Sequence, residues 1–309
     1  MKTRFTLFLP ALLFSAGMAL LPAVEPGAVS APGHRFIACG HGTKMIAIID
    51  ARGETEWSHP AGGQCNDLTY LPNGHVVWAH TEGASEVTPD HRVVWSYRGP
   101  KGTEIHTAQP LPEARVLLMQ CGQPARLLEI DRGTGAIVKE LSIPTTVTKV
   151  HDQFRVVRKT PAGTYLVPHL GERKVVEYSA DGAPLRSFPA NKPFLAVRLP
   201  NGHTLISGGD AHYISEVDPA GREVWRVDEQ ELPGNQLLYV TTLQRLPNGH
   251  TLVANWPGHN RELKGRQPQV FELTPDKRVV WSFQDWQQQG MFSTVQVLDG
   301  PTLITEALR

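Results

Sequence analysis

The sequence predicts an all-β chain folded as a six-bladed β-propeller of four-stranded antiparallel blades, on three observations. A five-residue turn, Leu-Pro-Asn-Gly-His, begins at Leu71, Leu199 and Leu246, with weaker copies at Leu111, Thr160 and Leu298. The six starts are separated by 40, 49, 39, 47 and 52 residues, a period that belongs to propellers and solenoids. A second turn follows in several units, for example Thr88-Pro89-Asp90-His91, Asp218-Pro219-Ala220-Gly221 and Thr274-Pro275-Asp276-Lys277, and it leads into a strand ending in Trp95, Trp225 or Trp281.

The N-terminus comes first. Lys2 and Arg4 precede an apolar run from Phe5 to Leu21, interrupted by Pro10 and followed by a small-residue cleavage pattern at Val29-Ser30-Ala31. This predicts a secretory signal peptide over 1–31, a single propeller domain over 32–309, and a periplasmic or secreted location. No later stretch is long enough to span a bilayer. Three cysteines in an exported chain permit one disulfide and one leftover thiol.

Each repeat then reads as four strands, named a to d outward from the axis. In the a–b turn Pro fixes φ, Asn tolerates the bridge region and Gly takes the left-handed conformation. The other tight turn joins c to d, and longer connections link b to c and d to the next a. The segment Phe36 to His59 supplies only later strands, including Met45 to Asp50 and the Trp57 strand, and the chain ends just after Thr302 to Thr305. Pairing the two ends makes one composite blade and leaves no open edge. Seven blades would follow if the end segments belonged to separate incomplete blades.

Composition limits the partners. Thirty Lys and Arg balance thirty Asp and Glu, so neither nucleic acid nor a polybasic membrane surface is expected. No Gly-rich phosphate loop and no Gly-x-Ser-x-Gly elbow occurs. The repeats Leu-Pro-Asn-Gly-His-Thr-Leu and Glu-Val-Asp-Pro-x-Gly-x-Glu-Val-Trp resemble the PQQ-like propeller superfamily, most closely its arylsulfotransferase-like branch. That resemblance implies a propeller, and a histidine at its mouth that carries a sulfuryl group; His151 and His169 are the candidates by repeat position, with Arg155 as anion clamp. PQQ itself is not expected, because the repeat encodes shape.

Strand direction sorts the histidines by face. His75, His203 and His250 follow a–b turns and His91 lies in a c–d turn, which places them on the bottom as solvated turn residues. His41, His80 and His169 end b strands, His212 and His259 lie in b–c loops, and His106 and His151 stand just before a strands, all on the top. Asn66, Asp67, Asn255 and Trp256 join them there. An Arg and several His at an apolar-walled mouth suit sulfate, sulfonate or carboxylate, and Trp256 or Tyr213 would stack on a flat ring or sugar face. Cys39, Cys65 and Cys121 also map to the top. Cys39 and Cys65 are the expected disulfide pair, and thiolate with His41 or His80 would suit a soft metal.

Three functions follow as expectations. The first is an exported module binding a small-molecule or carbohydrate-like ligand at the His-rich mouth, with a protein partner also compatible. The second is sulfuryl transfer and the third metal binding. No cofactor is required by any residue pattern.

Overall fold

The computed structural model describes residues 33–40, 44–258 and 265–299. The expected signal segment, His41, His259 and the Thr302 to Thr305 segment lie outside them. The described residues form six four-stranded sheets, so the six-blade expectation holds and the seven-blade alternative does not. Blade 1 contains β1 (Phe36–Gly40), β2 (Met45–Ile49) and β3 (Thr55–Pro60). Blade 2 runs β4 (Cys65–Tyr70), β5 (Val76–His80), β6 (Gly83–Val87), β7 (Val93–Arg98), and blade 3 β8 (Glu104–Leu111), β9 (Arg115–Cys121), β10 (Arg126–Asp131), β11 (Ile137–Ser142). Blade 4 is β12 (Arg158–Lys159), β13 (Tyr165–His169), β14 (Lys174–Tyr178), β15 (Pro184–Pro189), and blade 5 β16 (Leu195–Arg198), β17 (Thr204–Ser207), β18 (Tyr213–Val217), β19 (Glu223–Asp228). Blade 6 is β20 (Tyr239–Arg245), β21 (Thr251–Trp256), β22 (Val270–Leu273), β23 (Val279–Phe283); β24 (Phe292–Val297) then returns to blade 1 as its inner strand, antiparallel to β1 with Phe36 opposite Val297.

The two middle strands of each blade are buried on both faces, which is why they read as apolar runs such as Met45–Ile49 and Arg115–Cys121. The outer strands alternate, and β7, β11, β15, β19 and β23 each leave apolar side chains such as Val94, Val138, Leu185, Val224 and Val280 in solvent. Six apolar clusters fill the six gaps between blades. Leu166 and Val175 of blade 4, for example, meet Ala196, Ile206 and Val217 of blade 5. Around the axis, side chains rather than ladders join neighbouring inner strands: Gln109 accepts from the Lys159 amide (2.8 Å), Gln244 from Val297 (2.9 Å) and Gln296 from Tyr70 (2.8 Å).

The repeated turn behaves as its residues dictate. In the copy at Leu71 the Leu amide bonds to the His75 carbonyl (2.8 Å), and Gly74 sits at φ 82°, where a Cβ is disfavoured. Asn73 does more than tolerate the turn, because its Oδ1 accepts the His75 amide at 3.1 Å. The three turn histidines are not simply solvated. Each is half-buried and pairs through Nδ1 with a buried Glu of its own c strand: His75 with Glu86 (2.7 Å), His203 with Glu216 (2.6 Å), His250 with Glu272 (2.5 Å).

That Glu also clasps the following blade. Glu129 meets Lys159 (2.6 Å), Glu177 meets Arg198 (2.6 Å), Glu216 meets Arg245 (2.9 Å), Glu272 meets His34 (2.6 Å) and Glu86 meets Arg132. The gap between blades 1 and 2 differs, since Ile48 stands at the Glu position and Tyr70 packs against the same apolar cluster. Among the described residues no helix is long and apolar enough to cross a membrane.

Candidate functional site

The top of the axis opens into a cavity of about 710 Å³, within the usual range for small-molecule sites. Its wall is set by one repeat position. Five residues before the first residue of each a–b turn stand Asn66, His106, Arg155, Phe194, Thr241 and Ser293, and all six line the cavity, one per blade. The inner strands of four blades are bulged here. Cys65 and Asp67 pair with His80 and Ala79, Ile105 and Thr107 with Gln120 and Met119, so Asn66 and His106 are extra residues turned out of the ladder. Register shifts at Thr241 and Ser293 do the same. A bulge re-aims a side chain without breaking the sheet, so His106 lies within β8 rather than just before it.

Loops add a second tier. His151 and Asp152 come from a single turn of 3-10 helix over Val150–Asp152, and Lys149 is the extended residue just before it. Arg173, Lys192 and Asp210 contribute charge, while Leu170, Tyr239, Trp256 and Met291 supply apolar wall. Lys149 is held by Asp152 (2.9 Å) and Lys192 by Asp210 (2.7 Å). Arg155 is 5% exposed and bonds through Nη1 to the carbonyls of Phe154 (3.0 Å) and His151. No carboxylate pairs with it among the described residues. With four cationic side chains against Asp152 and Asp210, the lining is net positive.

A carboxylate bridges two imidazoles at the rim. Glu104 Oε2 lies 2.9 Å from His106 Nε2 and 2.8 Å from His151 Nδ1. Those hydrogen bonds hold the Glu104 carboxyl well below the usual carboxylate range. Burial, with the Arg155 charge beside it, pushes the His106 imidazole down, against the opposing pull of Glu104. His106 Nδ1 lies 2.9 Å from the Phe154 carbonyl and 3.1 Å from Arg155 Nη1. Tyr239 and Trp256 meet edge to face with centroids 5.1 Å apart, and the Arg155 guanidinium lies 6.0 Å from the Phe194 ring centroid.

The structure brings Asn66, His106, His151, Arg155 and Trp256 together at this mouth. The remaining expected residues sit elsewhere. Asp67 is fully buried and bidentate with Arg158 at 2.7 and 2.8 Å. His169 is buried inside blade 4, between Tyr178 (3.1 Å) and Glu172 (3.2 Å). His80 turns to Ser85 (3.4 Å) and His212 to the Leu238 carbonyl (2.5 Å). Asn255 accepts the Leu238 amide (2.7 Å) and donates to the Gln236 and Pro268 carbonyls, a loop-bracing role. Tyr213 packs over Gly208 with the Arg226 guanidinium 4.3 Å from its ring centroid. Cys39 and Cys65 are neighbouring buried free thiols; burial and Cys39 push the Cys65 thiol well above its ordinary value, which disfavours a metal-binding thiolate. Phe194, Thr241 and Ser293 were not expected at the mouth, although counting five residues back from each turn finds them.

A family model of Mal s 1 allergenic protein-like proteins matches residues 43–246. The chain belongs to that family. A crystal structure of a protein of unknown function from Bacteroides caccae is 33% identical, covers 85% of this chain and 98% of its own, and has a TM-score of 0.79. The same fold occurs in a catalytically inactive virginiamycin B lyase from Staphylococcus aureus with quinupristin (12% identity, 85% and 88% coverage, TM-score 0.57). It also occurs in the WD40 β-propeller domain of Doa1 (13% identity, 71% and 70% coverage, TM-score 0.54). No protein of curated function matches the chain.

Proposed function

We propose that this is an exported binding propeller whose mouth takes a small organic anion, a carboxylate, sulfate or sulfonate on a flat ring or sugar-like body. Arg155 carries the reading. A buried guanidinium without a carboxylate partner at a cavity wall is a site for an anion, and Tyr239 and Trp256 offer the flat body an aromatic wall. Export rests on the Lys2, Arg4 and Phe5 to Leu21 pattern. Isothermal titration with an aryl sulfonate, an aryl carboxylate and a neutral aryl glycoside tests the reading. The anions are expected to bind, and Arg155→Met and Lys192→Ala to weaken them by about tenfold each, as loss of a charged hydrogen bond does. Equal binding of the neutral compound, or no effect of either substitution, would overturn it.

A second reading, sulfuryl transfer, draws on the arylsulfotransferase-like repeat and on one observation. Glu104 holds His151 by Nδ1, leaving Nε2 of this half-exposed ring to act as a nucleophile beside Arg155. Attack on an aryl sulfate would form an N–S bond as the S–O bond breaks and phenolate leaves. The enclosed position of His169 gives it no such role. Intact mass after incubation with an aryl sulfate, with His151→Ala as control, separates transfer from binding.

A further inference from the structure

We propose that Glu104, His106 and His151 form a three-ligand site for a zinc-class divalent cation at the rim of the mouth cavity. One donor atom from each lies within 4.8 Å of the other two. Two imidazole nitrogens and one carboxylate oxygen are a donor set that suits zinc and its first-row neighbours, and do not suit magnesium or calcium, which take oxygen. Three protein ligands with a fourth position open is the arrangement of zinc sites that accept an outside molecule. Here the open side is the cavity, which His106 and His151 both line.

The surroundings support the same reading. His106 is 2% exposed and set by its backbone, as the extra residue of the β8 bulge. Its Nδ1 reaches the Phe154 carbonyl at 2.9 Å, and its Nε2 faces Glu104. Histidine ligands usually donate their second ring N–H to a carbonyl or carboxylate in this way, fixing which nitrogen faces the ion. The three residues come from two elements of adjacent blades, the inner strand β8 and the helical turn over Val150–Asp152. Arg155, 3.1 Å from His106 Nδ1, is the opposing charge. The Glu104 carboxylate offsets it, and an anion in the cavity would face both the cation and Arg155.

The probe is the metal alone, so the result does not depend on the anion reading. Chelator-treated, untagged protein is dialysed against ZnCl2 or MgCl2 in buffer free of phosphate and sulfate, and bound metal is measured by mass spectrometry. The expected result is one zinc per chain, no magnesium, and affinity weakened at least about tenfold in His151→Ala and in Glu104→Gln, as loss of ligand-shell contacts produces. Both positions are accessible enough to substitute without opening the core, and circular dichroism checks folding. His91→Ala, on the opposite face beside His59 (3.4 Å), is expected to leave binding intact. Less than stoichiometric zinc in the folded parent protein, undiminished binding in His151→Ala, or loss in His91→Ala instead would each overturn the assignment.

Discussion

Arg158 closes both terminal guanidinium nitrogens on the carboxylate of Asp67, at 2.8 and 2.7 Å, although 91 residues separate them in the chain. Asp67 belongs to blade 2 and Arg158 to blade 4, and the amide of Ala108 in blade 3 bonds the same carboxylate at 3.1 Å. Three inner strands therefore meet on one buried ion pair, one residue deeper than the mouth. Removing a single partner leaves an uncompensated charge where water does not reach. Arg158→Met is expected to lower stability by about 3–5 kcal/mol in urea unfolding, and the double variant Asp67→Leu/Arg158→Met by less than the sum of the two single changes. Additive losses would show that the pair is not coupled.

The Glu clasps can be exchanged for the solution that blade 1 already uses. Glu216→Ala strands His203 and Arg245, and a loss of roughly 2–3 kcal/mol is expected. Glu216→Ile with Arg245→Tyr copies the Ile48 and Tyr70 arrangement, and it should recover most of that loss. Thermal unfolding of the three proteins decides; a double variant no better than Glu216→Ala would mean that the apolar solution depends on other neighbours of Ile48.

Gly83 tests how closely the strands of blade 2 approach. A Cβ there would stand 1.9 Å from the Tyr97 carbonyl oxygen, so Gly83→Ala must push β6 from β7. A cost of roughly 3 kcal/mol is expected. Gly102 has open space around its Cβ position but φ of 85°, and Gly102→Ala should cost only about 1 kcal/mol. Chemical denaturation of both variants compares close approach with backbone strain.

His169 makes stability depend on pH. Burial pushes its imidazole down to about 4 from an ordinary value near 6.5, against the opposing pull of Glu172. The native ring therefore stays neutral while the unfolded ring takes a proton. Its contribution is complete above pH 6.5, is lost as pH falls from 6.5 to 4, and is then exhausted, a loss on the order of 3 kcal/mol. His169→Gln should flatten the fall in urea midpoint across that window. Parallel profiles for the two proteins would assign the acid sensitivity elsewhere. Glu172, held at about 2 despite its burial by Lys174 and the Thr146 amide, adds a loss of the same sign below pH 4.5.

The blade plan was legible because it is written in turns. Leu71, Leu199 and Leu246 start identical pentapeptides, and glycine at positive φ cannot be exchanged freely, so the repeat survives in the letters. The Trp57, Trp225 and Trp281 strands were legible for a similar reason, being the outer strands with alternating exposure. The mouth was only half legible. Bulges turn Thr241 and Ser293 inward, and those residues look like ordinary strand residues when the register is not known. Histidine counting also misled, because His169 and His80 end b strands yet turn into their own blades, while Asn66 and His106 reach the cavity from a strands. The Glu86, Glu216 and Glu272 clasps needed partners from the next repeat, which local patterns do not name.

The position of β24 bears on how the molecule is made. Three strands of blade 1 are synthesised first and their inner strand last, so Phe36–Gly40 must wait through some 250 residues for the partner opposite it. Until then an apolar strand keeps one edge of amides and carbonyls unpaired, a template for mispairing. Five blades can stack as they emerge, yet none encloses a cavity until the final one is completed. Whatever the mouth binds, it can bind only after the last strand arrives.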